Sequence, residues 1–98
     1  MTITKTQNGN ALEIALEGRL DTMTSPELEA ELNDSLKNAD SLVLNFSKLD
    51  YISSAGLRVL LSAHKAMSTN GGMKVINVNE IVREVFDVTG FADILTIE

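Results

Sequence analysis

The run from Ser41 to Leu49 and the helical pattern that follows it restrict the fold more than any other part of the chain. SLVLNF is almost continuously apolar, as in strands buried on both faces of a parallel sheet. Leu57, Leu60, Leu61 and Met67 then keep helical spacing as far as Asn70-Gly71-Gly72. Met73–Val78, MKVINV, is apolar again. A strand, a helix and a second strand joined by short connections form a parallel, right-handed crossover.

The flanking segments extend this unit. Leu12, Ile14 and Leu16 alternate with Glu13, Ala15 and Glu17, the period of a half-buried strand. Thr2–Thr6 predicts a partner strand, and QNGN between them carries an Asn-Gly hairpin signal. GRLD, 18–21, ends the second strand, and TMTSPELEAELNDSLKNA predicts a helix with Leu28, Leu32 and Leu36 along one stripe. Two start registers compete: Thr24 with Glu27 as a capping box, or Ser25 before Pro26 as the first helical residue. Asn79 is placed to cap a third helix, EIVREVFDVTG, with Ile81, Val82, Val85 and Phe86 inward and Gly90 as its stop. ILTI predicts a final strand. The order ββαβαβαβ defines one α/β domain over residues 1–98, a mixed central sheet with helices mainly on one side.

Composition excludes several function classes. There are 8 basic and 14 acidic residues, a formal charge of −6. Binding to a phosphate backbone uses clustered Lys and Arg, and this chain has no such cluster; direct nucleic-acid binding is not expected, whereas a protein partner with a basic face is compatible. The absence of cysteine removes disulfides, thiolate metal sites and thiol nucleophiles together and fits a reducing cytoplasm. No segment has the roughly 20 apolar residues of a membrane span, and MTITKTQNGN lacks the apolar core of a signal peptide. Membrane insertion is not expected.

The junction DYISSAGL lies where the central strand hands over to the second helix, the edge at which open α/β sheets carry their functional loops. Ser53 or Ser54 suits the helix N-cap. The same position also suits a phosphate, because free helix N–H groups and the positive end of the dipole favour an anion there. Both uses are open on local pattern. Gly56 relieves crowding between helix and sheet, and Ala55 leaves the backbone accessible.

Catalysis finds no support. The only histidine, His64, is ten residues beyond Ser54, roughly 15 Å along a helix, too far for a nucleophile–base pair. The spacings of a nucleophile elbow and of a phosphate loop are both absent. No His/Asp/Glu group has metal-ligand spacing, so no cofactor and no metal are expected. The acids of ELEAELND read as the solvated face of the first helix.

GRLD (18–21), TSPELEAEL, LDYISSAGLRVLL and VREVFDVTGF (82–91) together resemble, in order, the landmarks of bacterial anti-sigma factor antagonists, which are single STAS domains. The resemblance implies partner switching. The unmodified domain would bind an anti-sigma factor that is also a serine kinase, freeing the sigma factor for transcription. The kinase would use ATP to phosphorylate a serine at the strand-to-helix junction, causing release, and a metal-dependent serine phosphatase would reset the domain. The family motif is Asp-Ser-Ser/Thr-Gly-Leu. Anchored on Gly56-Leu57, its modified serine falls on Ser54, with Ser53 in the aspartate position as second candidate and Ala55 in that of the second hydroxyl. Asp21 matches an acidic residue near that site. The implied docking surface comprises Asp21, Thr22, Ser25, Ser53, Ser54, Ala55, Gly56, Leu57 and Arg58. The departure from aspartate at Ser53 keeps an alternative open: a STAS scaffold subunit of a lipid-transport or sensory assembly that uses the same face without phosphorylation.

Overall fold

A computed structural model describes residues 1–98. Strands β1 (Thr2–Asn8) and β2 (Ala11–Leu20) lead into helix α1 (Ser25–Ser35), strand β3 (Ser41–Ile52) and helix α2 (Ser54–Met67). Strand β4 (Met73–Ile76), helix α3 (Glu80–Thr89) and strand β5 (Thr96–Ile97) complete the chain. Short 3-10 turns follow α1 at Leu36–Asn38 and α3 at Phe91–Asp93. The expected order ββαβαβαβ is present.

The sheet runs β1-β2-β3-β4-β5. β1 pairs antiparallel with β2, and every later pair is parallel. Three successive right-handed crossovers that always step in one direction place all three helices on the same face. The burial pattern follows: Leu12, Ile14, Leu16 and Leu20 of β2 and Leu42, Leu44 and Phe46 of β3 are buried, while Glu13, Glu17 and Lys74 stay exposed on the other face. Val43 and Asn45, on that other face, are only half-buried. The core is one cluster to which Leu28, Leu32, Leu60, Val82 and Phe86 contribute from the helices.

The β1–β2 hairpin turns on Gly9-Asn10, because Asn8 pairs with Ala11. Gly9 has φ 61° while Asn10 keeps a negative φ, the arrangement of a type II′ turn with glycine first. α3 is capped as expected: Asn79 Oδ1 accepts from the Val82 N–H at 2.8 Å. Its Nδ2 also donates to the Leu49 carbonyl at 2.7 Å, tying the start of α3 to β3. Gly90 ends the helix.

Ile81 does not face inward as expected; it is 59% exposed, and Val88 is 80% exposed. Val82 and Phe86 carry the buried side of α3 with Val85 half-buried, so the inward stripe is narrower than four positions and turns away from Ile81. No helix is long and apolar enough to cross a membrane.

β3 differs from a simple strand in a way that builds the site. Its buried positions step by two through Leu42, Leu44 and Phe46, then by three to Leu49 and Ile52. The ladder with β2 shifts at the same places, between Ala15/Glu17 and between Gly18/Arg19. Each shift inserts one extra residue in β3, and each such bulge resets which side faces the core and bends the strand. Asn45 supports the first, its side-chain oxygen accepting from the Ser47 N–H at 3.0 Å and from Asn77 Nδ2 at 3.1 Å. The strand therefore reaches Ile52, beyond Leu49, and ends beside Leu20.

Candidate functional site

Because β2 and β3 end side by side, the segments after them meet. Leu20 pairs with Ile52, and the Ser53 N–H donates to the Leu20 carbonyl at 2.9 Å. The β2–α1 connection containing Asp21 and Thr22 thus lies against the start of α2, which sequence distance alone does not reveal.

The two serines take different jobs. Ser53 is the N-cap, in extended conformation, and its side chain accepts from the Gly56 N–H at 3.4 Å. Its carbonyl accepts the first helical bond, from the Leu57 N–H at 2.9 Å. Ser54 is the first residue of α2 and is exposed. The amides of Ser54 and Ala55 belong to the group that has no acceptor inside a helix. The exposed hydroxyl and the free helix end coincide, while the neighbouring hydroxyl is already engaged.

Gly56 permits this arrangement. A Cβ there would lie 2.8 Å from Ile52 Cγ1, 2.8 Å from Leu20 Cγ and 3.0 Å from Leu20 Cδ2. Glycine lets the first turn of α2 rest directly on the ends of β2 and β3.

Asp21 organises the opposite side. Its Oδ1 accepts from the N–H groups of Met23 at 3.0 Å and Thr24 at 3.1 Å. The Thr24 hydroxyl donates to the Arg19 carbonyl at 2.7 Å and accepts from the Asp21 N–H at 2.9 Å. Thr24 occupies the N-cap position of α1 but forms no side-chain cap; the capping box with Glu27 is absent because its hydroxyl is already committed. The helix begins at Ser25, so Pro26 is its second residue. The Asp21 carboxyl is held below its ordinary value, chiefly by the Thr24 N–H. Partial desolvation opposes this, and the Met23 N–H, the Thr24 hydroxyl and the Arg19 charge add to it. Arg19 Nε lies 3.8 Å from Asp21 Oδ2, and its guanidinium sits 4.5 Å above the Tyr51 ring.

Between the two sides is an open groove of about 470 Å³, lined by Thr22, Ser25, Pro26 and Glu29 from one side and Ala55, Arg58, Val59 and Ser62 of α2 from the other. A smaller cleft of about 50 Å³ continues it along the α1–α2 seam past Leu32 and Ala63. The structure brings Asp21, Thr22, Ser53, Ser54, Ala55 and Arg58 together at one edge. Three expected docking residues are not part of the exposed surface. Leu57 is 5% exposed and Ser25 3%, and Gly56 is also buried. Gly56 and Leu57 seat the helix on the sheet, and Ser25, at the groove floor, donates its hydroxyl to the Asp21 carbonyl.

Sequence reasoning missed Met23, which is 83% exposed beside Asp21. The signal was a flexible apolar side chain within the otherwise polar TMTS. His64 is half-buried within α2, and its Nδ1 is enclosed without a hydrogen-bond partner. No group of three or more His, Cys, Asp or Glu side chains is arranged to hold a metal ion.

A chain with this sheet, these crossovers and this edge has known counterparts. The STAS domain family model matches residues 2–98, and the chain belongs to that family. BtrV of Bordetella bronchiseptica, named provisionally as an anti-sigma factor antagonist, is 36% identical over 99 residues, covering 99% of this chain and 85% of its own. The anti-sigma-B factor antagonist of Bacillus subtilis is 29% identical over 92 residues, covering 93% and 84%. Among solved structures, an anti-sigma factor antagonist from Mycobacterium paratuberculosis superposes with a TM-score of 0.89 at 20% identity, covering 98% of this chain and 83% of its own. The antagonist SpoIIAA in its unphosphorylated form gives 0.84 at 19% identity over 99% and 88%. Its phosphorylated form gives 0.76 at 18% over 99% and 91%.

Proposed function

We propose that the protein is an anti-sigma factor antagonist in which Ser54 is the switch. The unmodified domain, residues 1–98 acting as one unit, binds an anti-sigma factor that is also a serine kinase, in the cytoplasm. Phosphorylation of Ser54 ends that binding, and a serine phosphatase restores it. The domain works by binding and carries out no chemistry of its own; its only imidazole is half-buried well along α2, away from both serines.

The observation that carries this proposal is the exposure of Ser54 on the first turn of α2, next to a groove that opens between α1 and α2. Ser53 is the weaker acceptor because its side chain already serves as the helix cap. Phosphate on Ser54 adds about −1.5 to −2 charges at the groove edge. The shape of the domain need not change; the interface changes its electrostatics. Phosphate also suits the local structure, since free N–H groups and the helix dipole favour it.

The proposed contact surface is Asp21, Thr22, Met23, Ser54, Ala55 and Arg58, with Ser53, Gly56, Leu57 and Ser25 holding it in place. A charge introduced at a central contact commonly costs 2 kcal/mol or more of binding free energy, roughly a thirtyfold loss of affinity. The test is labelling with the cognate kinase and ATP. Ser54→Ala is expected to abolish labelling and Ser53→Ala to retain it. Undiminished labelling of Ser54→Ala would overturn the assignment, and complete absence of labelling in the wild type would favour the non-phosphorylated scaffold.

A further inference from the structure

We infer that Arg58 is the internal counter-ion of phosphorylated Ser54, and therefore a second moving part of the switch. While Ser54 is unmodified, the guanidinium is free to meet an acidic group on the partner. Once Ser54 carries a phosphate, Arg58 folds back onto it and is withdrawn from the groove. This inference rests on the proposed function, in which Ser54 is the acceptor.

Ser54 and Arg58 are both exposed residues of α2, four positions apart. That spacing puts them on one face of the helix with Cβ atoms about 5–6 Å apart. Helical side chains lean toward the N-terminus, so a long side chain at 58 covers the turn that contains Ser54. The order also matters: an anion one turn before a cation is the more favourable arrangement.

Arg58 has no competing partner. Arg19 and Arg83 are both ion-paired, with Asp21 and Asp87. Lys5, Lys48 and Lys74 are paired as well. Arg58 is the one arginine that forms no ion pair; Glu29 lines the same groove without pairing to it. The first turn of α2 contains no acidic residue. Lys37 and Lys65 are unpaired as well, but of the three only Arg58 lies one helical turn beyond Ser54, where an anion placed on that hydroxyl would meet it.

In the transfer, a bond forms between the γ-phosphorus of ATP and Ser54 Oγ while the bond to the bridging oxygen breaks. ADP leaves with that electron pair, and the kinase takes the hydroxyl proton. The product is a dianion at neutral pH, able to accept both forks of a guanidinium. Phosphorylation thus adds negative charge and removes a positive contact in one step.

The test uses full-length protein with phosphoserine incorporated at position 54 during translation, alone and combined with Arg58→Gln or Arg58→Lys. Phosphorus NMR follows the second ionisation of the phosphate. In the wild-type background that ionisation is expected lower by about 0.2–0.4 pH unit than in the Gln variant, the scale of an exposed pair one turn apart. Lys is expected to restore part of the shift, and about 1 M salt to shrink it. Equal melting temperatures of the unphosphorylated forms verify that the exposed substitution leaves the fold intact. Identical titration with and without Arg58 would overturn the ion pair while leaving Ser54 as acceptor. Kinase labelling that survives Ser54→Ala would overturn the acceptor while leaving the titration result standing.

Discussion

Gly56→Ala tests the construction of the site from the inside. The added Cβ would meet Ile52 Cγ1 and Leu20 Cγ at 2.8 Å and Leu20 Cδ2 at 3.0 Å. Leu20 and Ile52 are 0% and 1% exposed, so neither can swing into solvent to make room. Overpacking of this kind costs about 1–3 kcal/mol. Alanine returns up to about 1 kcal/mol of helix propensity, and less in the first turn, where the helix is only beginning. The net expectation is a destabilisation of about 1–2 kcal/mol. For a domain of this size that is a fall in Tm of roughly 4–15 °C. Thermal and urea unfolding measure it directly. Leu20→Ala should make the substitution less costly by removing two of the three contacts, with Ile52 still in the way; a double-mutant cycle reads the coupling. Gly56→Ala that melts at or above the wild-type temperature would refute the claim that α2 rests on the strand ends through this glycine.

Ser53→Ala should lose about 0.5–1 kcal/mol in denaturant unfolding, toward the low end for a cap because the bond to Gly56 is 3.4 Å long. Met23→Asp should leave stability within about 0.5 kcal/mol of wild type, as befits an exposed position, while weakening capture by an immobilised anti-sigma factor. The lowered pKa of Asp21 fixes the sign of its pH effect. Its stabilising contribution is complete above the unfolded-state value and lost as pH falls through the lower folded value. Asp21→Ala should therefore melt lower than wild type near neutrality, with the gap narrowing in acid.

Much of this molecule is readable in its residues. The alternation of Leu12, Ile14 and Leu16, the apolar SLVLNF and the Asn79 cap each specify one local element, and those elements assemble as expected. The parts that escape are the ones set by neighbours distant in sequence. The β3 bulges hide in the change of apolar spacing after Phe46, which looks like irregularity until β2 is laid beside it. Thr24 has the residue type of a cap, but the Arg19 carbonyl takes its hydroxyl and Asp21 takes over the turn. Gly56 and Leu57 belong to the sequence motif yet lie beneath the surface, because a motif records what supports a site as well as what touches a partner. The division of labour between Ser53 and Ser54 depends on where the helix starts, and boundaries are the least legible feature of a sequence.

The most direct measurement of the central claim is the affinity of one anti-sigma factor for two forms of this protein, unmodified and phosphorylated at Ser54, by calorimetry in the same buffer. Tight binding of the unmodified form and a loss of roughly thirtyfold or more on phosphorylation is the predicted result. Equal affinity of the two forms would contradict it.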